Sequence, residues 1–140
     1  MPTDNDCIFC RITAGLAPCH EVYSDATVMA FMDAFPAAPG HLLVVPREHA
    51  RTIHALGDEA MREVASVARQ LAGAVDAALN PDGLTLSQAN GAAAGQSVPH
   101  YHVHLIPRTS GERLRSHGAA SGDDAALAQM ALRIRAELYS

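Results

Sequence analysis

The sequence predicts an α+β domain: a five-stranded antiparallel sheet with one long helix and one C-terminal helix. Three observations predict it. Five short runs of strand character, Glu21–Ser24, Val28–Met32, His41–Val45, Leu84–Ala89 and His102–Ile106, have mostly short connections, which favour antiparallel neighbours. One apolar stripe at helical spacing, between Asp58 and Leu79, interrupts the series. Last, His100, His102 and His104 alternate with apolar residues, which is the period of a strand.

The 140 residues fit one domain, with a core over about 7–108 and a C-terminal loop and helix over 109–140. Hydrophobic residues make up 49% and charged residues 18%, as in soluble globular chains. The net charge is −5 with no basic run, which argues against a nucleic-acid coat. No apolar run approaches a membrane span. The start, Met1 to Asp6, carries acids and no apolar leader, so a cytoplasmic protein is expected. Its three cysteines are then expected reduced, metal-bound or reactive and not paired as disulfides.

From the N-terminus, Cys7-Ile8-Phe9-Cys10 is a C-x-x-C in a short helix that Asp4 or Asp6 caps and Gly15 closes. Two thiolates one turn apart suit zinc but supply only half of its ligands. The rivals are a redox pair, weakened by the lack of a following βαβ pattern, and simple burial. Cys19 has no cysteine nearby and reads as structural. Asp25-Ala26 turns the first strand into the second. The Pro/Gly loop from Asp33 to Gly40 follows, and from position alone Asp33 is an ordinary turn acid. His41 to Val45 is the most apolar run and is expected to be central, with Pro46 ending its ladder.

Ala50 to Leu56 has the character of a short helix, with His49 and His54 at the surface. Met61, Val64, Ala68, Leu71, Val75, Ala78 and Leu79 form the stripe of the long helix. Its alanines allow close docking on a sheet or on a second copy. Asn80-Pro81-Asp82-Gly83 stops it. Asn90 to Gly95 is a small-residue loop whose backbone N–H groups suit phosphate, or else a plain connection. Arg108 to Gly122 is expected to be a mobile loop. Asp123 to Leu138 is amphipathic, with Leu127, Met130, Ile134 and Leu138 on one face.

Tyr101, Val103 and Leu105 are expected to face the core, leaving the histidines on the other side. Three imidazoles compete there for hydrogen-bond partners, which points to chemistry more than packing. They are metal ligands, a nucleophile with helpers, or a merely polar face.

His100-x-His102-x-His104 followed by Leu105-Ile106 resembles the histidine triad (HIT) signature. Gly95-Gln96-Ser97-Val98, Phe31-x-Asp33, Pro39-Gly40-His41 and the Cys7-Ile8-Phe9-Cys10 opening resemble its bacterial HINT-like branch. The likeness spans about Cys7 to Arg108.

The resemblance implies a nucleotide hydrolase or nucleoside phosphoramidase that passes through a nucleotidyl-histidine. His102 is then the nucleophile at the α-phosphorus, and a backbone carbonyl near His100 sets its tautomer. His104, Gln96 and Ser97 match phosphate contacts, and Asn90 matches a polar pocket position. Asp33 matches a ribose-binding acid. Ile8, Phe9, Phe31 and Leu43 match an apolar pocket for a purine base, and His41 matches a position at the site's edge. No catalytic cofactor is required. Two other readings are a dinucleoside polyphosphate hydrolase and a nucleotide-binding regulatory module with little turnover.

Two expectations complete the reading. A structural zinc site is expected from Cys7, Cys10, His49 and His100, because the cysteine pair needs two more ligands and some HINT-like proteins bind zinc in this pattern. Its rival is that the cysteines are only buried. Pro99 makes the chain irregular enough to turn His100 aside from His102. A homodimer with joined sheets is expected from the sheet's edge and the small-residue stripe, and the family resemblance points the same way. Neither nucleic acid nor membrane is an expected partner.

Overall fold

Strands that are apolar at every position must be covered on both faces. The computed structural model, which describes residues 6–114 and 120–138, solves this with two layers of unequal size. The elements are α1 (Ile8–Thr13), β1 (Glu21–Ser24), β2 (Val28–Met32), β3 (Leu42–Pro46), α2 (Asp58–Leu79), β4 (Gly83–Ser87), β5 (Val103–Arg108) and α3 (Asp124–Leu138). The expected five-stranded antiparallel sheet is present, in the order β1-β2-β3-β5-β4.

Alternation sorts the strand residues. Val28, Ala30, Met32, Leu42, Val44, Val103 and Leu105 join Val64, Val67, Leu71 and Val75 of α2 in the larger core. Met29, Phe31, Leu43 and Val45 point the other way and pack with Phe9, Cys10 and Ile12 of α1. The thinner cover on this second face leaves room for a cavity. Tyr101, Val103 and Leu105 do face the core, as their spacing predicts.

The long helix matches its expected bounds. Asp58 and Glu59 complement its N-terminal dipole, and Asn80 ends it in the left-handed region at φ 46°, which asparagine tolerates. Its buried stripe includes Val67 and Ala74, whereas Met61, counted in the stripe by spacing, is exposed. The buried residues of the helix begin at Ala60 and continue through Val64 to Val75. The C-terminal helix packs against α2: Ile134 and Ala131 are buried, and Arg133 donates to the Ala78 carbonyl at 2.9 Å.

Several expectations need correction. The helix expected over Ala50 to Leu56 is a pair of turns, Ala55 N–H to Thr52 O and Leu56 N–H to Ile53 O, and no longer ladder forms. The cap of α1 is Cys7, whose sulfur accepts from the Cys10 N–H at 3.3 Å; Asp6 does not supply it, and Asp4 lies outside the described residues. Pro46 belongs to β3 and pairs with Val28, so the strand runs one residue later than expected. The fourth strand starts at Gly83 and stops at Ser87, and the fifth runs from Val103 to Arg108, so His102 lies just outside it. The loop expected to be mobile makes hydrogen bonds near both of its ends. Ser110 N–H donates to Asp82 and Gly122 N–H to the Ala34 carbonyl, both at 2.8 Å. Its middle, residues 115–119, lies outside the described residues.

Gly40 sits where the Pro/Gly loop enters β3, at φ +89°. A Cβ there would meet Leu79 Cδ1 at 2.6 Å and Pro107 Cγ at 3.0 Å. Backbone strain and overpacking then add. Gly40→Ala is expected to lower stability by roughly 2 kcal/mol or more, read as a lower midpoint in urea unfolding with an unchanged slope.

Candidate active site

The register of the sheet lays out the site. Phe31, Leu43 and His104 are cross-strand partners in one row over β2, β3 and β5, on the face away from α2. Adjacent strands lie about 4.8 Å apart, so this row floors a trough roughly 10 Å wide. The trough is a cavity of about 800 Å³. Ile8 and Phe9 of α1 form one wall, and Ser97, His102 and His104 form the end nearest β5.

His102 is held at a break in secondary structure. Residues 98–100 are bends, and the ladder with β3 begins only at Val103. The His102 ring is 5% exposed, and its Nδ1 lies 2.7 Å from the His100 carbonyl. A carbonyl only accepts, so Nδ1 carries the proton and the lone pair of neutral His102 is on Nε2. Phe9 stacks edge-on at 5.1 Å between ring centres and fixes the plane.

A second chain of hydrogen bonds sets His104. The Ala37 N–H donates to His41 Nδ1 at 2.9 Å, which forces the His41 proton onto Nε2. That nitrogen lies 2.9 Å from His104 Nδ1 and 3.4 Å from Asp33 Oδ2. Neutral His104 therefore accepts at Nδ1 and carries its proton on Nε2. The two histidines of the cavity are thus opposite tautomers, one presenting a lone pair and the other an N–H. His41 is completely buried in the middle of this relay, behind the lining residue His104. Asp33 is 4% exposed, and its Oδ1 accepts the Phe35 N–H at 2.8 Å.

The first histidine of the alternation turns away from the other two, as Pro99 allows. His100 Nε2 lies 2.8 Å from the Pro46 carbonyl, so Nε2 donates and the lone pair is on Nδ1. That lone pair lies 3.3 Å from Cys7 Sγ, 3.5 Å from Cys10 Sγ and 3.3 Å from His49 Nδ1. The donor atoms of Cys7, Cys10, His49 and His100 all lie within 4.8 Å of one another. Tetrahedral zinc at ordinary bond lengths places two nitrogens about 3.3 Å apart and nitrogen and sulfur about 3.6 Å apart. The donor set fits such an ion in type, number and spacing, and the Pro46 carbonyl orients one ligand from behind. Burial pushes His100 down to about 4, against the pull of the Pro46 carbonyl and helped by His49 and His102. The ring is therefore neutral, as a ligand must be. Asp33, His41 and His104 also cluster, but both nitrogens of His41 are committed to hydrogen bonds, so that trio is a relay and not a ligand set.

Most residues singled out in the sequence meet in this cavity. Ile8, Phe9, Phe31, Asp33, Leu43, Ser97, His102 and His104 line it together. Gln96 and Asn90 do not. The Gln96 amide braces its own loop, donating to the Arg51 and Val98 carbonyls at 2.6 and 3.0 Å and accepting the Gly91 N–H at 2.7 Å. Asn90 Oδ1 accepts the Ile53 N–H at 2.7 Å, and the side chain pairs with Gln88. The backbone cradle expected over Asn90 to Gly95 is partly used by the loop itself. Ala92–Ala94 form a 3-10 turn, and the N–H groups of Ala94, Gly95 and Gln96 bond within the loop.

One wall was not foreseen. Ser121, Gly122, Asp124 and Leu127 from the C-terminal segment line the cavity opposite α1, beside Cys19 and His20. Asp124 pairs with His20 at 2.8 Å. Nothing in the sequence signals this contact, since the partners are 104 positions apart. Burial, reinforced by Glu21, pushes the Cys19 thiol up, consistent with a packed and unreactive sulfur.

Known proteins are similar to this chain in sequence and fold. The HIT domain family matches residues 14–111. The adenosine 5'-monophosphoramidase of Schizosaccharomyces pombe is 38% identical over 106 residues, 76% of this chain and 77% of that protein. A HIT-like protein from Bartonella henselae, described as involved in cell-cycle regulation, superposes with a TM-score of 0.90 at 36% identity, covering 98% of this chain and 99% of that one. A zinc-bound histidine triad protein from Mycobacterium smegmatis superposes with a TM-score of 0.84 at 30% identity, covering 95% and 93%.

Proposed function

The chain belongs to the HIT domain family, and we propose that it is a nucleotide hydrolase of the phosphoramidase kind, acting at the α-phosphate of a purine nucleotide conjugate. The observation that carries this reading is the 2.7 Å bond from His102 Nδ1 to the His100 carbonyl, which puts a lone pair on Nε2 in the wall of a cavity.

In this mechanism Nε2 of His102 attacks the α-phosphorus. A phosphorus–nitrogen bond forms as the bond to the leaving amine or alcohol breaks, and the leaving group takes up a proton. Water then attacks the nucleotidyl-His102, returning the nucleophile and releasing a nucleoside monophosphate. His104, with its proton on Nε2, and the Ser97 hydroxyl supply donors for charge on the phosphoryl oxygens. His41 keeps His104 in that tautomer. Asp33 takes the ribose hydroxyls, and the base lies between Ile8, Phe9, Phe31 and Leu43. Gln96 and Asn90 serve by shaping the loop and are not assigned contacts with the nucleotide. The S. pombe relative is named as an adenosine monophosphoramidase, which supports this substrate class.

The test is incubation with an adenosine phosphoramidate. Release of AMP is expected, and His102→Ala is expected to lose several orders of magnitude in rate while nucleotide binding survives. Near-native turnover by that variant would sink the mechanism. A nucleotide-binding module without turnover is the reading left if the native protein binds AMP and releases none.

Zinc is the metal assigned to Cys7, Cys10, His49 and His100, with a structural role. Two thiolates and two imidazoles suit it, and the M. smegmatis neighbour is named as zinc-bound. Protein purified without added metal or chelator is expected to hold about one zinc per chain, and a Cys7→Ser/Cys10→Ser variant none. A native protein that neither carries zinc nor takes it up on titration leaves the cysteines as core residues.

The assembly proposed is a homodimer joined through β4. Among the described residues this edge strand pairs on one side only and leaves Leu86 half-exposed, a surface that invites a second strand. Light scattering at micromolar concentration is expected to give about twice the chain mass. A value of one chain mass would remove the dimer.

A further inference from the structure

We propose that the Cys7/Cys10/His49/His100 centre positions the nucleophile and the base wall, with His100 as the positioning residue between metal site and cavity. The inference rests on the function proposed above and adds a control point to it. Its premise is a gap in the secondary structure. The carbonyl that sets the His102 tautomer belongs to His100, in a bent stretch ahead of β5. The β3 ladder reaches back only to Val103, so no strand pairing holds that carbonyl.

The His100 side chain is one of its two supports, beside the hydrogen bond of its own peptide. The ring is completely buried. Its Nε2–H is tied to the Pro46 carbonyl at 2.8 Å, and its Nδ1 is seated among the two sulfurs and His49. On the backbone, the Tyr101 N–H, which shares the peptide plane of the His100 carbonyl, bonds to the Ala50 carbonyl at 2.7 Å, and the His100 N–H bonds to the Val98 carbonyl at 2.8 Å, so the ring anchors the Cα between two constrained peptides. A hydrogen bond holds a tautomer only while its acceptor stays in line, since the bond weakens steeply off axis. Loosening the ring swings the carbonyl, and His102 then samples the tautomer with its proton on Nε2, which cannot attack.

The same centre clamps the opposite wall. Cys7 and Cys10 flank Ile8 and Phe9, and α1 has only six residues, too few to be a stable helix alone. Phe9 touches His102, His100 and Phe31 with ring centres 5.1, 5.8 and 5.5 Å apart. A bound metal would supply strong bonds among four donor atoms whose contacts with one another are 3.3 to 3.5 Å. Both the chemical step, through His102, and nucleotide affinity, through Phe9, are therefore set by one centre that touches no substrate.

The experiment compares metal-loaded protein, chelator-stripped protein and His49→Ala. His49 is chosen because it is outside the cavity lining. Three readouts are followed beside the melting temperature: kcat and KM separately on an adenosine phosphoramidate, the Kd of AMP, and the nitrogen-15 spectrum of the His102 ring. Stripping is expected to lower kcat about tenfold or more, to weaken AMP several-fold, and to move the ring from the Nδ1–H form to a mixture, with zinc restoring all three. His49→Cys, which keeps a donor, is expected to resemble the native protein. If stripped protein is folded and keeps its kcat and ring spectrum while only melting lower, the centre is a staple and the proposal is overturned. Should stripping unfold the chain at assay temperature, His49→Asp, a weaker donor, carries the same comparison. If the loaded protein hydrolyses no phosphoramidate, the proposed reaction fails, and the spectrum and the AMP Kd still decide the coupling.

Discussion

The cavity depends on a hydrogen bond inside an irregular segment, from the His102 ring to the carbonyl of His100, 2.7 Å long and buried. A histidine in solution exchanges its proton between two nitrogens, and a nucleophile needs it on one. The fold achieves this by interrupting the fifth strand before Val103. A regular strand would send the His100 and His102 rings to the same face and its carbonyls into the ladder. The bend at 98–100 releases one carbonyl to the ring and turns the first imidazole towards the cysteines. One departure from regularity thus separates two sites that the alternation alone would merge.

The two faces of the sheet explain why the departure is tolerated. The face under α2 and α3 is a continuous core in which Leu42, Leu71, Leu105 and Ile134 have no exposure. Burial of this kind is the main favourable term in folding, at about 25 cal/mol for each Å² of apolar surface. The other face carries the smaller cluster around Phe9, Phe31, Leu43 and Val45, and the rest of it is open trough. The stable layer thereby supports a face on which polar groups can be buried with all their partners. Among the described residues, no buried side-chain nitrogen or oxygen lacks a hydrogen-bond partner.

In the proposed reaction an acidic chain receives an anionic ligand. The net charge is −5, and the end of the cavity nearest β5 is lined by two imidazoles and a hydroxyl, from His102, His104 and Ser97. Donors aimed into a partly dry cavity are worth more than surface charge, which solvent screens. Asp33 sits beside His41 and His104 with one oxygen held by the Phe35 N–H, so its geometry is set before any ligand arrives. Preorganisation of this kind also describes Gln96, whose amide is spent on holding the loop that presents Ser97.

Sequence alone determined the sheet and the long helix with its stop, because period and turn chemistry are local properties, while the part of the cavity lining it named came from resemblance to a family motif. The alternation around His102 placed Tyr101, Val103 and Leu105 in the core for the same reason. Tertiary structure decided what depends on distant partners. That His41 is the centre of a relay turns on an N–H from Ala37 and a ring from β5. Whether Gln96 and Asn90 face a ligand turns on backbone groups of Arg51 and Ile53 that compete for the same amides. The wall from Ser121 to Leu127 exists because a Gly122 N–H finds the Ala34 carbonyl across the fold. A side chain's type fixes which bonds it is able to make, but only the folded chain brings the competitors within 3 Å, and the competitor that arrives there decides the role.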